Sequence, residues 1–305
     1  MELFAFGEVL WDSYPQKRTI GGAPFNFSAH LAKLGTTAHL ISAVGEDALG
    51  EETRKTVQLM KVSDRFLTTV KKPTGICFVD NSNAKKPYYD LQEEMAYDYI
   101  TLSEKEFTAI QQTKEKALYF GTLAQRSEVS RHTMNFLLEH GHYEFVFFDI
   151  NIRKNYYNKE ILRKGLDACS ILKVSREESG VFAELGLFES DQTYDTGVFS
   201  YLEILCSTLS NRFHIETVLM TLDKDGAFVY DNRINQFFYS EKPKGNVIST
   251  VGAGDSFSAC FLHNKMAGAE AQSCLRKAVI LSDYVVQHME AVPDYSDELI
   301  ETLQE

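Results

Sequence analysis

The segment 249–256 (STVGAGDS) is the part of the sequence whose residue types most directly suggest chemistry. Gly252, Ala253 and Gly254 carry no bulky side chains and precede an apolar run at 257–262, which predicts a glycine-rich turn that opens a buried helix. Backbone N–H groups at such a turn, together with the positive end of the helix dipole, attract anions. We therefore interpret this segment as a phosphate-binding turn.

A carboxylate directly follows the glycine-rich turn. Asp255 would repel a bound phosphate unless it has another task, such as taking a proton from an attacking hydroxyl group. The alternative is that Asp255 only caps its helix. The combination of turn and carboxylate makes Asp255 a candidate general base for phosphoryl transfer to an alcohol.

A second glycine cluster lies near the start of the chain. Gly21 and Gly22 permit a hinge or the close approach of a ligand, and Pro24 suits the first turn of a helix. Asn26 offers both a donor and an acceptor, and the Asp12 carboxylate lies upstream, so the two could hold sugar hydroxyl groups. The alternative is an ordinary turn followed by a helix start.

Short apolar runs alternate with longer amphipathic segments, and this alternation predicts a mostly parallel sheet covered by helices. The runs predicted as strands are 3–6, 38–44, 117–120, 144–149, 171–174 and 217–222. The segments 11–20 and 68–99 are extended in pattern and predict a small projecting sheet, which would serve as a lid or as an extra edge hairpin. The segment 228–239 predicts a β-hairpin that turns near Asn232.

The overall composition is that of an ordinary globular protein. With 305 residues, 44% hydrophobic content and no linker-like segment, we expect a single domain over 1–305. The net charge of −12 argues against nucleic acid or an anionic membrane as a partner. Five scattered cysteines, a start without a basic signal-peptide region and the lack of a membrane-length apolar stretch predict reduced thiols and a cytoplasmic location.

Several other classes of enzyme are disfavoured by their missing motifs. The segment 45–50 (GEDALG) has the glycine spacing of a P-loop, but Glu51 stands where the lysine is required. The first predicted strand is followed by 7–11 (GEVLW), which lacks the second and third glycines of a dinucleotide-binding turn. No H-E-x-x-H or G-x-S-x-G motif indicates a protease or an esterase.

Three segments together resemble the signatures of the ribokinase-like PfkB carbohydrate kinases, most closely the bacterial fructokinase branch. They are 7–12 (GEVLWD), 21–26 (GGAPFN) and 250–255 (TVGAGD), and 119–126 (YFGTLAQR) and 148–153 (FDINIR) support them. The order and spacing fit nearly the whole chain. The resemblance implies a ribokinase-like three-layer α/β/α fold with a mostly parallel central sheet and a small β-sheet lid, through which such kinases often form homodimers.

The resemblance also implies roles for individual positions. The residues implied to hold sugar hydroxyl groups are Asp12, Gly21, Gly22, Asn26 and Arg153. Those implied to meet the nucleotide are Ser175, Thr221, Asp223, Gly226 and Thr250. Gly252, Ala253 and Gly254 would form the anion hole, with Asp255 as the base. Glu178 falls where the family places a residue that organises Mg²⁺, usually through water.

Three positions depart from the family pattern. Ser175 replaces the usual Asn, Asp223 replaces Gly, and Ser249 replaces Asp. The first two changes bear on nucleotide affinity. The third removes a carboxylate that in the family helps to shape a monovalent-cation site. The base and the anion hole are spared.

The resemblance therefore implies an ATP-dependent and Mg²⁺-dependent kinase whose acceptor is D-fructose, phosphorylated at the 6-position. One alternative is a kinase of the same fold that acts on 2-keto-3-deoxygluconate or a nucleoside, since Asp12, Asn26 and Arg153 suit these acceptors too. The other alternative is a sugar-binding protein without turnover, which the changes at Ser175, Asp223 and Ser249 make conceivable.

Overall fold

The computed structural model describes residues 1–80, 88–189, 199–241 and 245–304. The chain divides into two compact units, an N-terminal unit (Met1–Tyr143) and a C-terminal unit (Glu144–Glu305). The single domain expected over 1–305 stays a prediction. Positions 81–87 of the predicted small sheet lie outside the described residues.

The N-terminal unit contains eight described strands and four described α-helices. The strands are β1 (Glu2–Phe6), β2 (Leu10–Ser13), β3 (Arg18–Gly21), β4 (Ala38–Gly45), β5 (Ser63–Val70), β6 (Gly75–Asp80), β7 (Tyr88–Leu91) and β8 (Lys116–Phe120). The helices are α1 (Ala23–Lys33), α2 (Ala48–Leu59), α3 (Glu104–Gln112) and α4 (Glu128–His140). Short 3₁₀ helices cover Ala96–Tyr99 and Leu123–Arg126.

The larger sheet of this unit has four parallel strands in the order β8, β1, β4 and β5. Strands β4 and β8 are buried along their whole length. Parallel strands covered on both faces need continuous apolar runs, and such runs are what identified these segments in the sequence. The predicted strands at 3–6, 38–44 and 117–120 are therefore confirmed.

The smaller sheet has four strands in the order β3, β2, β6 and β7. Strand β2 pairs antiparallel with β3 and parallel with β6, and β6 pairs antiparallel with β7. A small second sheet is thus present, but the extended interpretation of 68–99 was wrong at both ends. Thr68 pairs with β4 in the larger sheet, and Ala96–Tyr99 forms a 3₁₀ helix. Alternation of side chains reveals a strand but not which sheet it joins.

Trp11 and the glycines of 45–50 both have structural roles. The buried Trp11 indole N–H donates a hydrogen bond to Thr53 Oγ1 on α2 at 2.8 Å. Asp47 caps α2 by accepting the N–H of Gly50 at 2.7 Å, and its Oδ1 accepts the Thr74 hydroxyl at 2.7 Å. The P-loop-like glycine spacing therefore serves a helix start.

The C-terminal unit continues with five described strands and six described helices. The strands are β9 (Phe145–Asp149), β10 (Ile171–Ser175), β11 (Thr217–Thr221), β12 (Ala227–Asp231) and β13 (Gln236–Ser240). The helices are α5 (Lys159–Ala168), α6 (Val181–Glu184), α7 (Phe199–Phe213), α8 (Ala253–Met266), α9 (Ala271–Val286) and α10 (Asp297–Gln304). A 3₁₀ turn covers Asp223–Asp225.

Strands β9, β10 and β11 are parallel, while β12 and β13 extend the sheet as an antiparallel hairpin. The strands predicted at 144–149, 171–174 and 217–222 and the hairpin predicted over 228–239 are confirmed. The carboxyl ends of β9, β10 and β11 lie along one edge, where open α/β sheets bind their ligands. Within the ranges that the structure describes, no helix is both long enough and apolar enough to cross a bilayer.

The N-terminal unit also contains a buried ion pair that predicts a large effect on stability. Arg126 Nε and Nη2 each lie 2.8 Å from an oxygen of Asp98, and the two side chains are 7% and 5% exposed. Arg126→Met leaves the carboxylate buried without its cation, so we expect a loss of about 3–5 kcal/mol in the free energy of unfolding. Urea denaturation measures it. Arg163→Met removes an exposed pair with Asp167 and should change the value by less than about 1 kcal/mol; equal losses would contradict the prediction.

Candidate active site

The glycine-rich turn opens α8 in a conformation that only glycine adopts without strain. Gly252 is the N-cap residue and has a φ of 84°. A Cβ atom at this position would lie 2.3 Å from the carbonyl oxygen of Ala291. The backbone conformation and the close packing against Ala291 both require glycine here.

The segment before the turn is anchored to the end of α9. The N–H groups of Ile248 and Ser249 both donate to the carbonyl oxygen of Val286, at 2.8 and 3.1 Å. The Ser249 hydroxyl accepts the N–H of Val251 at 3.3 Å, so this side chain shapes the turn. Thr250 is exposed, and its carbonyl oxygen accepts the N–H of Ala253 at 3.3 Å.

Asp255 lies in the first turn of α8 and is partly exposed. The first intrahelical hydrogen bond runs from the N–H of Ser256 to the carbonyl oxygen of Gly252, at 2.8 Å. Gly252, and not Asp255, therefore occupies the N-cap position. A carboxylate here is stabilised by the helix dipole and remains accessible to an acceptor hydroxyl group. The alternative in which Asp255 caps α8 is therefore wrong.

Two side chains from the neighbouring strands extend the charged part of the site. Lys173 and Asp149 lie opposite each other in the parallel pairing of β10 with β9, and Lys173 Nζ is 3.1 Å from Asp149 Oδ1. Their side chains are 8% and 1% exposed. A Cβ atom built on Gly254 would lie 3.5 Å from Lys173 Nζ, which places the ammonium group beside the glycine-rich turn. Neither residue has a role predicted from its sequence motif.

The charges of this group influence one another strongly. Burial, together with the charges of Glu178 and Asp255, raises the pKa of Asp149 to about 6, against the lowering effect of Lys173. Burial acts to lower the pKa of Lys173, but Asp149 and Glu178 raise it above its usual range. At neutral pH, Asp149 and Lys173 are therefore both charged.

Glu178 uses both carboxylate oxygens to join two strand ends. Oε1 accepts the N–H of Ile152 and Oε2 accepts the N–H of Ser175, each at 2.8 Å. Burial acts to raise the pKa of Glu178, but Lys173 and these two N–H groups lower it below its usual range. Glu178 is thus held as a carboxylate beside the ends of β9 and β10.

The positions assigned to the nucleotide fall on one edge of the C-terminal sheet. Ser175 and Thr221 are register partners in the last position of β10 and β11, and Arg176 N–H donates to the carbonyl oxygen of Thr221 at 2.9 Å. Asp223 is exposed and has a φ of 55°, the left-handed region that glycine adopts more readily. Gly226, with a φ of 92°, closes the same turn into β12.

The sugar residues predicted from the second glycine cluster gather in the N-terminal unit. A Cβ atom built on Gly21 would lie 3.0 Å from Asp12 Oδ2. The Asp12 carboxylate therefore lies close to the backbone of this glycine. Gly22 has a φ of 106°, and a Cβ atom there would lie 2.5 Å from the carbonyl oxygen of Glu8. Asn26 is buried in the first part of α1, and its N–H donates to the carbonyl oxygen of Gly22 at 2.9 Å.

Glu8 supports this arrangement and was also missed in the sequence. Its buried carboxylate accepts the N–H of Ala23 at 3.2 Å and so stabilises the start of α1. Arg153, the remaining residue predicted to bind the sugar, belongs to the C-terminal unit and is exposed in the segment after β9. Asn151, two residues earlier, has a φ of 37°, a backbone conformation that is often found at functional sites.

This chain is similar to a family of known kinases over most of its length. The model of the pfkB family carbohydrate kinases matches residues 12–298. Among curated relatives, a putative sugar kinase of Pyrococcus horikoshii is 27% identical over 252 residues, which cover 79% of this chain and 72% of the relative. A 5-dehydro-2-deoxygluconokinase of Geobacillus thermodenitrificans is 25% identical over 277 residues, covering 82% and 73%.

Solved structures show the same fold. The Pyrococcus sugar kinase, solved in complex with ATP, superposes with a TM-score of 0.80 at 24% identity, over 98% of this chain and 97% of that one. A fructokinase of Vibrio cholerae with bound fructose, ADP and calcium superposes with a TM-score of 0.77 at 19% identity, over 100% and 99%. The predicted ribokinase-like α/β fold is confirmed.

The family model includes the segments 21–26, 119–126, 148–153 and 250–255 and begins at the last residue of 7–12. The similar proteins do not single out the fructokinase branch, because a deoxygluconokinase and a putative sugar kinase match as well. The match to the family model covers most of the chain. This protein therefore belongs to the pfkB family of carbohydrate kinases.

Proposed function

We propose that this protein transfers the γ-phosphoryl group of ATP to a hydroxyl group of a sugar. The observation that carries the proposal is the first turn of α8, where a partly exposed carboxylate, Asp255, follows a glycine-rich turn at the positive end of the helix dipole. Membership of a carbohydrate kinase family supports it, as does the ATP bound to the Pyrococcus kinase.

In the proposed mechanism, the protein aligns the two substrates and stabilises the charge of the transferred group. Asp255 takes the proton of the acceptor hydroxyl. Backbone N–H groups at Gly252, Ala253 and Gly254 receive the phosphoryl oxygens, aided by the helix dipole, and the Ala253 N–H exchanges its 3.3 Å bond to the carbonyl oxygen of Thr250 for a phosphoryl oxygen. Asp12, Gly21, Gly22, Asn26 and Arg153 bind the sugar. Ser175, Thr221, Asp223, Gly226 and Thr250 meet the nucleotide.

Glu178 is the residue proposed to hold Mg²⁺, through water. Within the described parts of the chain, no three His, Cys, Asp or Glu side chains converge to hold a metal ion directly. Mg²⁺ in phosphoryl-transfer sites is commonly held by one or two carboxylates, waters and substrate phosphates, so a single ionised Glu178 fits. When bound, Mg²⁺ would neutralise charge on the ATP phosphates.

Changing Glu178 tests this assignment. We expect Glu178→Gln to raise the KM for Mg²⁺ about tenfold, because second-shell carboxylates typically contribute 10- to 100-fold to metal affinity. The amide also loses one of the two accepted backbone N–H groups, so some stability is lost as well. Titration of initial rates with MgCl₂ at fixed ATP measures the KM. Glu184→Gln, a neutralised carboxylate on α6, is the control. An unchanged Mg²⁺ dependence would remove Glu178 from metal binding.

For the acceptor we propose D-fructose, phosphorylated at the 6-position. The motifs at 7–12, 21–26 and 250–255 support it, and the Vibrio fructokinase shares the fold. The second candidate is a keto-deoxy sugar acid such as 2-keto-3-deoxygluconate, favoured by the Geobacillus relative, and a nucleoside is a further alternative. A non-catalytic sugar-binding protein is the remaining alternative.

Sugar-dependent ADP release, measured with a coupled assay, separates these candidates. Release with fructose, with phosphate located on the 6-position by NMR, supports the proposal. ADP release only with another sugar or a nucleoside would show that this compound, and not fructose, is the acceptor. If calorimetry shows that a sugar binds but no ADP is released, the protein is a non-catalytic sugar-binding protein. The same assay in KCl and in choline chloride tests a monovalent-cation requirement, for which Ser249 lacks the family's carboxylate.

We also propose that the chain forms a homodimer through its small sheet and works in a reducing, cytoplasmic setting. Phe78 on β6 is 49% exposed, and all five cysteines are free and buried. Phe78→Asp should convert the dimer to a monomer, because a charge in an apolar interface is left desolvated. Light scattering after gel filtration measures the mass. Leu59→Asp changes an exposed leucine on α2 and should leave the dimer intact. A monomeric wild type would contradict the proposal.

A further inference from the structure

A buried lysine lies where the proposed reaction develops negative charge. Lys173 is in the middle of strand β10, a position that the apolar run 171–174 would reserve for a hydrophobic side chain. Its side chain is 8% exposed. A buried ammonium group is unfavourable unless it is paired, and such pairs often add little to stability compared with apolar residues of the same volume. Stability alone therefore does not explain why a lysine occupies this position, and a functional role does.

The surroundings of Lys173 are carboxylates of the proposed site. Asp149 lies directly opposite in the strand pairing, with 3.1 Å between Nζ and Oδ1. Glu178 and Asp255 both interact electrostatically with the ammonium group. Since this region is shielded from water, interactions between these charges are only weakly screened. Without Lys173, three carboxylates would stand together near a site that must accept a phosphoryl group.

The lysine also lies beside the glycine-rich turn. A Cβ atom built on Gly254 would lie 3.5 Å from Nζ, so the ammonium group lies beside the part of α8 that would form the anion hole. A fixed positive charge at this point needs no rearrangement as the reaction proceeds, and preorganised charges of this kind contribute strongly to catalysis.

We propose that Lys173 is a positioning residue of the transfer site: its ammonium group holds Asp149 and the glycine-rich turn together and offsets the repulsion between the site carboxylates and the transferred phosphoryl group. This inference rests on the proposed kinase function. It assigns a role to a residue outside the sequence signatures.

Three variants separate this role from a purely structural ion pair. Asp149→Asn breaks the ion pair but leaves the ammonium group in place. Lys173→Met in the Asp149→Asn background then removes the ammonium group without leaving Asp149 as an unpaired carboxylate. Lys265→Met is the matched control, because Lys265 is also a buried lysine, on α8, and pairs with Glu216 at 3.4 Å. Thermal unfolding is recorded for each variant beside kcat and both KM values.

We expect the Asp149→Asn variant to keep kcat within about fivefold of wild type, because the positive charge remains. The Lys173→Met/Asp149→Asn variant should have a kcat about 10- to 100-fold below that of Asp149→Asn, a smaller loss than that of a direct anion-hole donor (about 10²- to 10³-fold), because Lys173 acts from beside the hole. Its KM for the sugar should change less than about threefold, which marks a loss confined to the transition state. Lys265→Met should lower the unfolding temperature and leave kcat unchanged.

Equal kcat values for Asp149→Asn and the double variant would overturn the role of Lys173, whatever their unfolding temperatures. A loss of kcat already complete in Asp149→Asn would overturn it too, by assigning the effect to the aspartate. A wild-type protein without ADP release on any acceptor would instead refute the proposed function, and the inference with it. The two failures are therefore distinguishable.

Discussion

Asp255→Asn is expected to lower turnover at least about a hundredfold, since a general base contributes about 10²- to 10⁴-fold. The asparagine side chain has the same shape but cannot take a proton from the acceptor hydroxyl. The fold should persist because Asp255 is partly exposed and Gly252, not Asp255, provides the N-cap. Affinity for the sugar should persist as well, because the proposed sugar residues are other side chains. Coupled ADP release gives kcat, and calorimetry gives the sugar Kd.

The matched control for this substitution is Asp297→Asn. Asp297 is an acidic residue in the first turn of α10, so its neutralisation removes a comparable interaction with a helix dipole. We expect Asp297→Asn to change stability slightly and kcat not at all. If Asp255→Asn also keeps a near-normal kcat, Asp255 serves only its helix and the proposed mechanism is wrong.

Gly252→Ala is expected to lower kcat by about 10²- to 10³-fold, the usual effect of losing a donor in an anion hole. An alanine Cβ would lie 2.3 Å from the carbonyl oxygen of Ala291, and the residue would keep a φ of 84° only with strain. The start of α8 must therefore shift, which moves the backbone N–H groups that receive the phosphoryl oxygens. Stability should fall too, as a thermal melt will show.

Gly268→Ala is the control that separates the effect of backbone strain from the effect of moving the start of α8. Gly268 follows the other end of α8 and also has a φ of 84°, but no atom lies within 4 Å of its Cβ position. We expect it to lose about 1–2 kcal/mol of stability from strain alone and to keep full activity. A Gly252→Ala variant that is as active as Gly268→Ala would contradict an anion hole at this turn.

Much of the fold was predictable because local patterns and the tertiary structure agree. The runs at 38–44 and 117–120 are buried on both faces of a parallel sheet, so they are apolar throughout and easily identified. The hairpin over 228–239 was identified from two strand-like runs that flank a polar turn near Asn232. The error at 68–99 arose because alternation does not reveal which sheet a strand joins; Thr68 pairs with β4 instead of the small sheet.

The candidate site was predictable only where a residue belongs to a motif. Gly252, Gly254 and Asp255 are contiguous, so their relation is local and visible in the sequence. Lys173 and Asp149 are 24 positions apart and meet through strand register. One feature of the sequence could have revealed the pair. Lys173 lies inside an apolar run, and a lysine that is buried in this way requires an oppositely charged partner.

The sequence by itself determined the family signatures, the order of strands and helices, and the glycine turn that opens α8, because each depends on neighbouring residues. Only the tertiary structure decided that Ala291 packs against Gly252, that Lys173 faces Asp149, and that Glu178 joins Ile152 to Ser175. Those contacts depend on the register of strands that are far apart in the sequence and on the loops that bring distant residues together. No local pattern carries that information, since charge and packing act through space and not along the chain.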